Sequence, residues 1–416
     1  MKMFKKIVGV AATLAGLGLG VAAHAVDDIK IGVTFPLSGN SASAGKSALA
    51  AIELAAQIIN EPHPELGNLT LAAGAGLPNL GGAKIKIVAA DHQGNPSEGQ
   101  AQALRLITQE KVVGLVGAYQ SAVALTSTAI AERYGIPFIV GDGVAANITE
   151  RGFKWTFRTT PIASDFATNY MEFLTDLKKA GHPTANIAIV FENTDYGVSV
   201  SATIREIAKK NGFNVIADIA YNANGADVSA QVLQLKEKKP DAIIFISYTS
   251  DAILYMKTLK SLDYLPPMII GDNSGFSDPA FIKAVSGLAQ GVVNRSAWTT
   301  GPKDSVTWRI NEMYKAKTGQ DMDDTSGRDM QAFFVLADAI NRAGSTKPEA
   351  IQAALQKTDL KPDQLMMGYK GVKFDEKGQN TLAAAYLIQL TGDKYYSIWP
   401  TKSAQKELVY PLKGWK

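Results

Sequence analysis

The stretch AQALRLITQEKVVGLVGAYQSA (101–122) returns in altered form as AQVLQLKEKKPDAIIFISYTSD (230–251). Both copies begin Ala-Gln-x-Leu-x-Leu, cross a charged segment, enter an apolar run and end on Tyr-x-Ser. Further along, IVGDG (139–143) is answered by IIGDN (269–273). Each half thus carries the same strand-loop-helix-strand unit closing on Gly-Asp. Strands that alternate with helices pack as parallel sheets covered on both faces. The expected fold is α/β, with two lobes, each a doubly wound and mostly parallel sheet. Open sheets of this kind bind ligands beyond the carboxyl ends of their strands. The repeated loops should therefore face each other across a cleft.

The rest of the chain keeps the alternation. Strands are expected in IKIGVTFPL, KIKIVAAD, VVGLVGA, PFIVGD, NIAIVFEN, FNVIADIAY, DAIIFISYT and MIIGDN. Helices are expected at SALAAIELAAQIIN and at 97–111, 121–134, 164–181, 197–211, 227–239 and 251–264. Gly135 and Gly212 stand where helix C-caps belong, and Pro137 and Pro240 prevent the helices from continuing. The segment 61–83 is rich in Gly, Pro and Asn and reads as a loop.

The first residues read as an export signal. Lys2, Lys5 and Lys6 precede an apolar run from Ile7 to Val21, and Ala23-His24-Ala25 is a small-x-small cleavage site. Residues 1–25 are expected to be removed, leaving a soluble chain with no membrane span. The sequence has no cysteine, which excludes disulfides, thiolate metal sites and a lipid-anchored cysteine. Of its 416 residues 46% are hydrophobic, enough to build two domains by burial alone. The formal charge of +3 equals the three lysines of the signal, so the mature chain is neutral and lacks the driving force for nucleic-acid binding.

SGNSASAGKS (38–47) imitates a phosphate-binding loop but has one residue too many between Gly39 and Gly45-Lys46-Ser47. The extra residue turns Lys46 by about 100°, so the segment reads as a strand-to-helix turn. In VVGLVGAYQSAVALTSTAIAERYG the strand ends at Gly117, the loop Ala118-Tyr119-Gln120 turns, and Ser121 is expected to cap the following helix. A ligand carboxylate could bind the serine hydroxyl and the unpaired N–H groups there. Asp142 and Asp272 close their strands and could each meet a ligand ammonium. Tyr196 and Tyr248 sit just past strands, where their rings could cover an apolar side chain. No metal spacing, nucleophile elbow or cofactor motif appears, so neither catalysis nor a cofactor is expected.

Taken in order, the signal segment, IKIGVTFPLSG, the Ser121 loop, RGFKWTFRTTPIASD, IAIVFENTDYG and VKFDEKG resemble the periplasmic binding proteins of the branched-chain amino acid type, which serve ABC importers. The resemblance implies a monomer of two lobes joined by three crossings, near Thr160–Ile162, near Ser296 and near Met367–Phe374. The N-terminal lobe would be 27–160 plus 297–366 and the C-terminal lobe 161–296 plus 367–416. It further implies a periplasmic location, membrane permease subunits as partners, and a small carboxylate-bearing ligand, an amino acid or a related acid or amide. Ser121 would hold the carboxylate, while Tyr196 and Tyr248 would close over the ligand. Ser43, Tyr119, Gln120 and Gly143 complete the expected lining. The ammonium half departs from the pattern. Val144 and Asn273 replace a Thr and a Glu, Asp142 replaces a small residue, and Ala44 stands where close relatives have a large aromatic. Asp142 is expected to take over the ammonium. If it accepts from a hydroxyl or amide instead, the ligand becomes an aromatic acid, a short amide or a urea-like molecule.

Overall fold

A computed structural model describes residues 27–415. The signal segment lies outside them. In the first lobe, β-branched and apolar runs form β1 (Ile29–Phe35), followed by α1 (Ala42–Asn60), β2 (Ile85–Asp91), α2 (Pro96–Thr108), β3 (Gly114–Gly117), α3 (Ser121–Tyr134), β4 (Phe138–Val140) and β5 (Thr156–Arg158). The second lobe repeats the series as α4 (Ala163–Lys179), β6 (Asn186–Glu192), α5 (Asp195–Lys210), β7 (Asn214–Tyr221), α6 (Ser229–Lys238), β8 (Ala242–Ile246), α7 (Thr249–Ser261) and β9 (Ile269–Gly271). It ends in α8 (Ser274–Ser277), α9 (Pro279–Val285) and β10 (Val293–Ser296). The chain then adds α10 (Val306–Thr318), α11 (Asp324–Ala343), α12 (Pro348–Gln356), β11 (Asp359–Leu360) and β12 (Val372–Lys373) to the first lobe, and β13 (Tyr386–Thr391) and β14 (Lys394–Trp399) to the second sheet.

The first sheet has the order β2-β1-β3-β4-β5, and the second runs β7-β6-β8-β9-β10 before β13 and β14. Strand for strand this is the same doubly wound order, which matches the internal repeat. The order reverses between β1 and β3 and between β6 and β8. Such a switch point leaves a crevice at the strand ends. Tyr119 and Tyr248 follow β3 and β8, Tyr196 follows β6, and Ser43 follows β1. Paired strands of the core run parallel, while β10-β13 and β13-β14 are antiparallel and finish the edge of the second sheet.

Two expected features shift. The helix after β1 begins at Ala42, so Ser43 to Ser47 are already helical. Gly45 is there because a Cβ would run into the Pro36 carbonyl, and Lys46 is exposed. The Gly-Lys-Ser sequence is thus a packing solution at a helix start. The third change of lobe also lies beyond Met367–Phe374. Tyr369, Val372 and Phe374 are buried in the first lobe's core, with Phe374 edge-on to Phe157 at 5.1 Å. The chain joins the second sheet only at Tyr386. The segment 61–83 buries Leu66, Leu69, Ala72 and Leu77 in the same core, so it is more than an extended loop.

Candidate functional site

The two lobes meet through their strand-end loops. Gly117 ends β3 with φ +144°, and a Cβ there would strike the Thr34 carbonyl, so only glycine lets the chain turn into the Tyr119 loop. The Tyr119 ring then lies 5.7 Å from Tyr248, which lies 5.3 Å from Tyr196. These rings, one from the first lobe and two from the second, are buried with Ala44 and Val144 in a single apolar cluster.

Ser121 is the first residue of α3, and the N-cap position belongs to Gln120, whose side chain makes no capping bond. The expected serine cap is corrected accordingly. The Ser121 hydroxyl turns away from its own helix and accepts the N–H of Ala145 at 3.3 Å. A first-turn serine can do this because the earliest N–H groups have no carbonyl to meet within the helix. Its hydroxyl proton and the first N–H groups of the helix remain as donors at this end.

The loop after β4 is held from behind. The fully buried Arg158 donates to the carbonyls of Gly143 at 3.2 Å and Ala145 at 2.7 Å. The Val144 carbonyl accepts from Ala163 at the start of α4. These backbone acceptors are therefore engaged within the protein. Asp142 does not stand alone either. Arg328 on α11 donates to its carbonyl at 2.8 Å and pairs with its Oδ1. The same guanidinium lies 2.7 Å from Asp324. Asp142 Oδ2 has no hydrogen-bond partner among the described residues. Burial raises the Asp142 carboxyl, and Arg328 pulls it back. Nearby Asp329 is raised much further, by burial first and then by the charge of Asp142. Asp142 and Asp324, when both ionised, outnumber the one guanidinium between them.

Asn273 and Asp272 take other roles than the ligand contacts expected of them. The Asn273 amide donates to Asp324 across the lobes, and its Oδ1 accepts from Ser277. Asp272 is neutralised by Arg295 at 3.0 Å and receives the hydroxyls of Tyr170 and Tyr196. Ser43 donates to Asp278 at 2.6 Å, and Thr249 donates to the other oxygen of Asp278 at 2.7 Å. Ser43 thereby fastens the first lobe to the second.

Sequence reading missed Arg328 and Glu192, and Asp323-Asp324 reads in sequence as solvated loop charge, whereas both carboxylates are buried. Arg328 and Asp324 lie on a helix almost wholly buried along its length, and buried charges on a helix are themselves the signal that was available. Glu192 closes β6 and caps α5, accepting from Thr194 N at 2.6 Å and Gly197 N at 2.6 Å. Burial pushes its carboxyl up, and these donors oppose the rise. Tyr248, its phenol raised well above the ordinary value by burial, lies within the fields of Glu192, Tyr119 and Asp142. No helix among the described residues is long and apolar enough to cross a membrane.

The family profile described as "Periplasmic binding protein" matches residues 28–394. The Leu/Ile/Val-binding protein homolog 7 of Brucella suis biovar 1 (strain 1330) is 30% identical over 421 residues, covering 97% of this chain and 98% of that one. Among solved structures, the branched-chain amino acid transporter substrate binding protein LivJ of Streptococcus pneumoniae, in complex with isoleucine, superposes with a TM-score of 0.75 at 21% identity, covering 92% of this chain and 100% of the other. A solute binding protein of an ABC transporter from Rhodopseudomonas palustris BisB5, in complex with 3,4-dihydroxybenzoic acid, gives 0.72 at 20% identity over 89% and 96%.

Proposed function

Because the chain belongs to the periplasmic binding protein family, we propose that it captures a small α-amino acid between its lobes and presents it to the permease of an ABC importer. Three features of the strand-end loops support this reading, foremost among them the tyrosine contact between the lobes. The amino end of α3 with Ser121 offers donors to a carboxylate. Asp142 offers a buried carboxylate oxygen, Oδ2, to an ammonium. Tyr119, Tyr196 and Tyr248 offer rings from both lobes.

Binding energy gained only when both lobes touch the solute favours the closed arrangement, and the importer would read that arrangement. No catalytic role is assigned to the chain. Export by residues 1–25, work as a monomer and the division into two lobes belong to the same proposal, with the first lobe built from 27–160 and from 297 on past Phe374 until the chain enters the second sheet at Tyr386.

A second reading has one observation in its favour. Arg328 already pairs with Asp142 as well as with Asp324, so with a solute that lacks an ammonium, such as an aromatic acid, a short amide or a urea-like molecule, each carboxylate still keeps a cation beside it. A thermal-shift panel of leucine, phenylalanine, other amino acids, hydroxybenzoates, short amides and urea separates the two, since binding to the native state raises the midpoint with ligand concentration. Shifts confined to amino acids support the first reading. Shifts given by acids or amides that lack an ammonium would replace it with the second.

A further inference from the structure

We propose that the amino acid this protein carries has an uncharged hydrogen-bonding side chain, an amide or ureido group, seated in the pocket at the mouth of the cleft. The inference rests on the amino-acid reading above and narrows it.

The pocket has a volume of about 290 Å³ and is walled by both lobes. That is the lower end of the range for small-molecule sites and exceeds what a branched aliphatic tail requires. The first lobe contributes Asn40, Ser41, Gln93 and Gln120, and the second contributes Thr194 and Asn224. None of the residues lining it is charged. Its inner wall is Tyr248, which packs against Tyr119, so the pocket continues outward from the tyrosine cluster. It also borders Gln120 and Ala122 at the amino end of α3, one residue on either side of Ser121. A solute whose carboxylate sits at α3 can therefore reach it with its side chain.

Gln120 is 7% exposed, and its Oε1 has no hydrogen-bond partner among the described residues. A buried amide oxygen without a donor is costly, and an N–H from the solute would supply one. At the rim, the Asn40 amide donates to Asn224 Oδ1 at 2.8 Å from one lobe to the other. Closure thus surrounds the side chain with neutral amides and hydroxyls. Such a lining pairs with an amide or ureido group. It offers no counter-ion to an ammonium or carboxylate tail, and it leaves polar groups unpaired against an aliphatic one.

Calorimetric titration of the mature chain with L-glutamine, L-citrulline, L-norleucine, L-lysine and L-glutamate tests this. Glutamine or citrulline should bind at least tenfold more tightly than norleucine, with lysine and glutamate weaker still. Gln120→Met, which keeps the length of the side chain and removes its amide, should reduce that preference to near unity while norleucine affinity holds or improves. Norleucine binding as tightly as glutamine and citrulline to the unaltered protein would overturn the inference and leave the amino-acid reading standing. Binding of none of the five amino acids would overturn the inference, and the thermal-shift panel with leucine, phenylalanine and the other amino acids then decides the amino-acid reading separately. A preference that survives in Gln120→Met would remove Gln120 from the recognition.

Discussion

Arg328 holds Asp142 at two points, by a 2.8 Å hydrogen bond from Nη1 to the Asp142 carbonyl and by an ion pair from Nη2 to its carboxylate. Nη1 also donates to Thr160 Oγ1 at 3.0 Å, on the segment that leads from the first lobe into the second. The guanidinium further meets Asp324, which receives Asn273 from the second lobe and the backbone N–H of Trp298 at 3.0 Å. One cation therefore joins the Asp142 loop to two of the three passages between the lobes. Arg328→Met leaves Asp142 and Asp324 buried without their partner. Removing one member of a buried pair costs about 3–5 kcal/mol, and urea denaturation should register a loss of that size. Unchanged stability would mean that the pair is dispensable.

Ser121→Ala should weaken a carboxylate ligand by about 1–2 kcal/mol, near the lower end of what a hydrogen bond to a charged group contributes. Titration calorimetry reads this as roughly a five- to thirtyfold rise in Kd. Unaltered affinity would confine Ser121 to its bond with Ala145.

Ser43→Ala removes the donor to Asp278 that spans the lobes. The Thr249 bond to Asp278 stays within the second lobe, so each lobe keeps its own core. The expected effect is faster solute release, about fivefold to thirtyfold for the loss of about 1–2 kcal/mol. Stopped-flow fluorescence checks it, and an unchanged off-rate would show that the contact does not hold the lobes shut.

Asp323 supplies a pH test. It caps α11, accepting from Ser326 N at 2.7 Å, and burial pushes its carboxyl up to about 7. A carboxyl raised in the folded state contributes stability that is complete below its ordinary pKa and is lost as pH rises through about 7. Asp323→Asn keeps an acceptor for Ser326 and cannot ionise. The variant should gain on the parent protein between pH 5 and pH 8, by on the order of 3 kcal/mol at the upper end. Thermal unfolding across that range measures it, and a difference independent of pH would contradict the assignment.

The repeat at 101–122 and 230–251 was legible because it obeys local rules. Apolar runs bounded by Gly and Pro became β3 and β8, and α3 spans Ser121–Tyr134, the range its pattern predicts. What stayed hidden depends on partners distant in the chain. β10 reads VNRS, with Asn294 and Arg295 buried in the strand, because Asn294 accepts from Asn273 and Arg295 pairs with Asp272 while lying 3.7 Å over the Phe166 ring. No periodicity marks such a strand. The same holds for Asp142, whose companion Arg328 lies 186 residues further on. Local pattern identified Asp142 as a strand-end carboxylate. Only the packing of α11 against the first sheet reveals that it is already paired.

The central claim is that a single amino acid is held between the amino end of α3 and the floor at Asp142. The most direct test is a crystal structure of the mature chain grown with the amino acid that gives the largest thermal shift. The account predicts its carboxylate within hydrogen-bond distance of Ser121 Oγ and the first N–H groups of α3, with its ammonium toward Asp142 Oδ2 and Tyr119, Tyr196 and Tyr248 around it. A solute whose carboxylate lies away from α3, or whose amine faces bulk solvent, would contradict it.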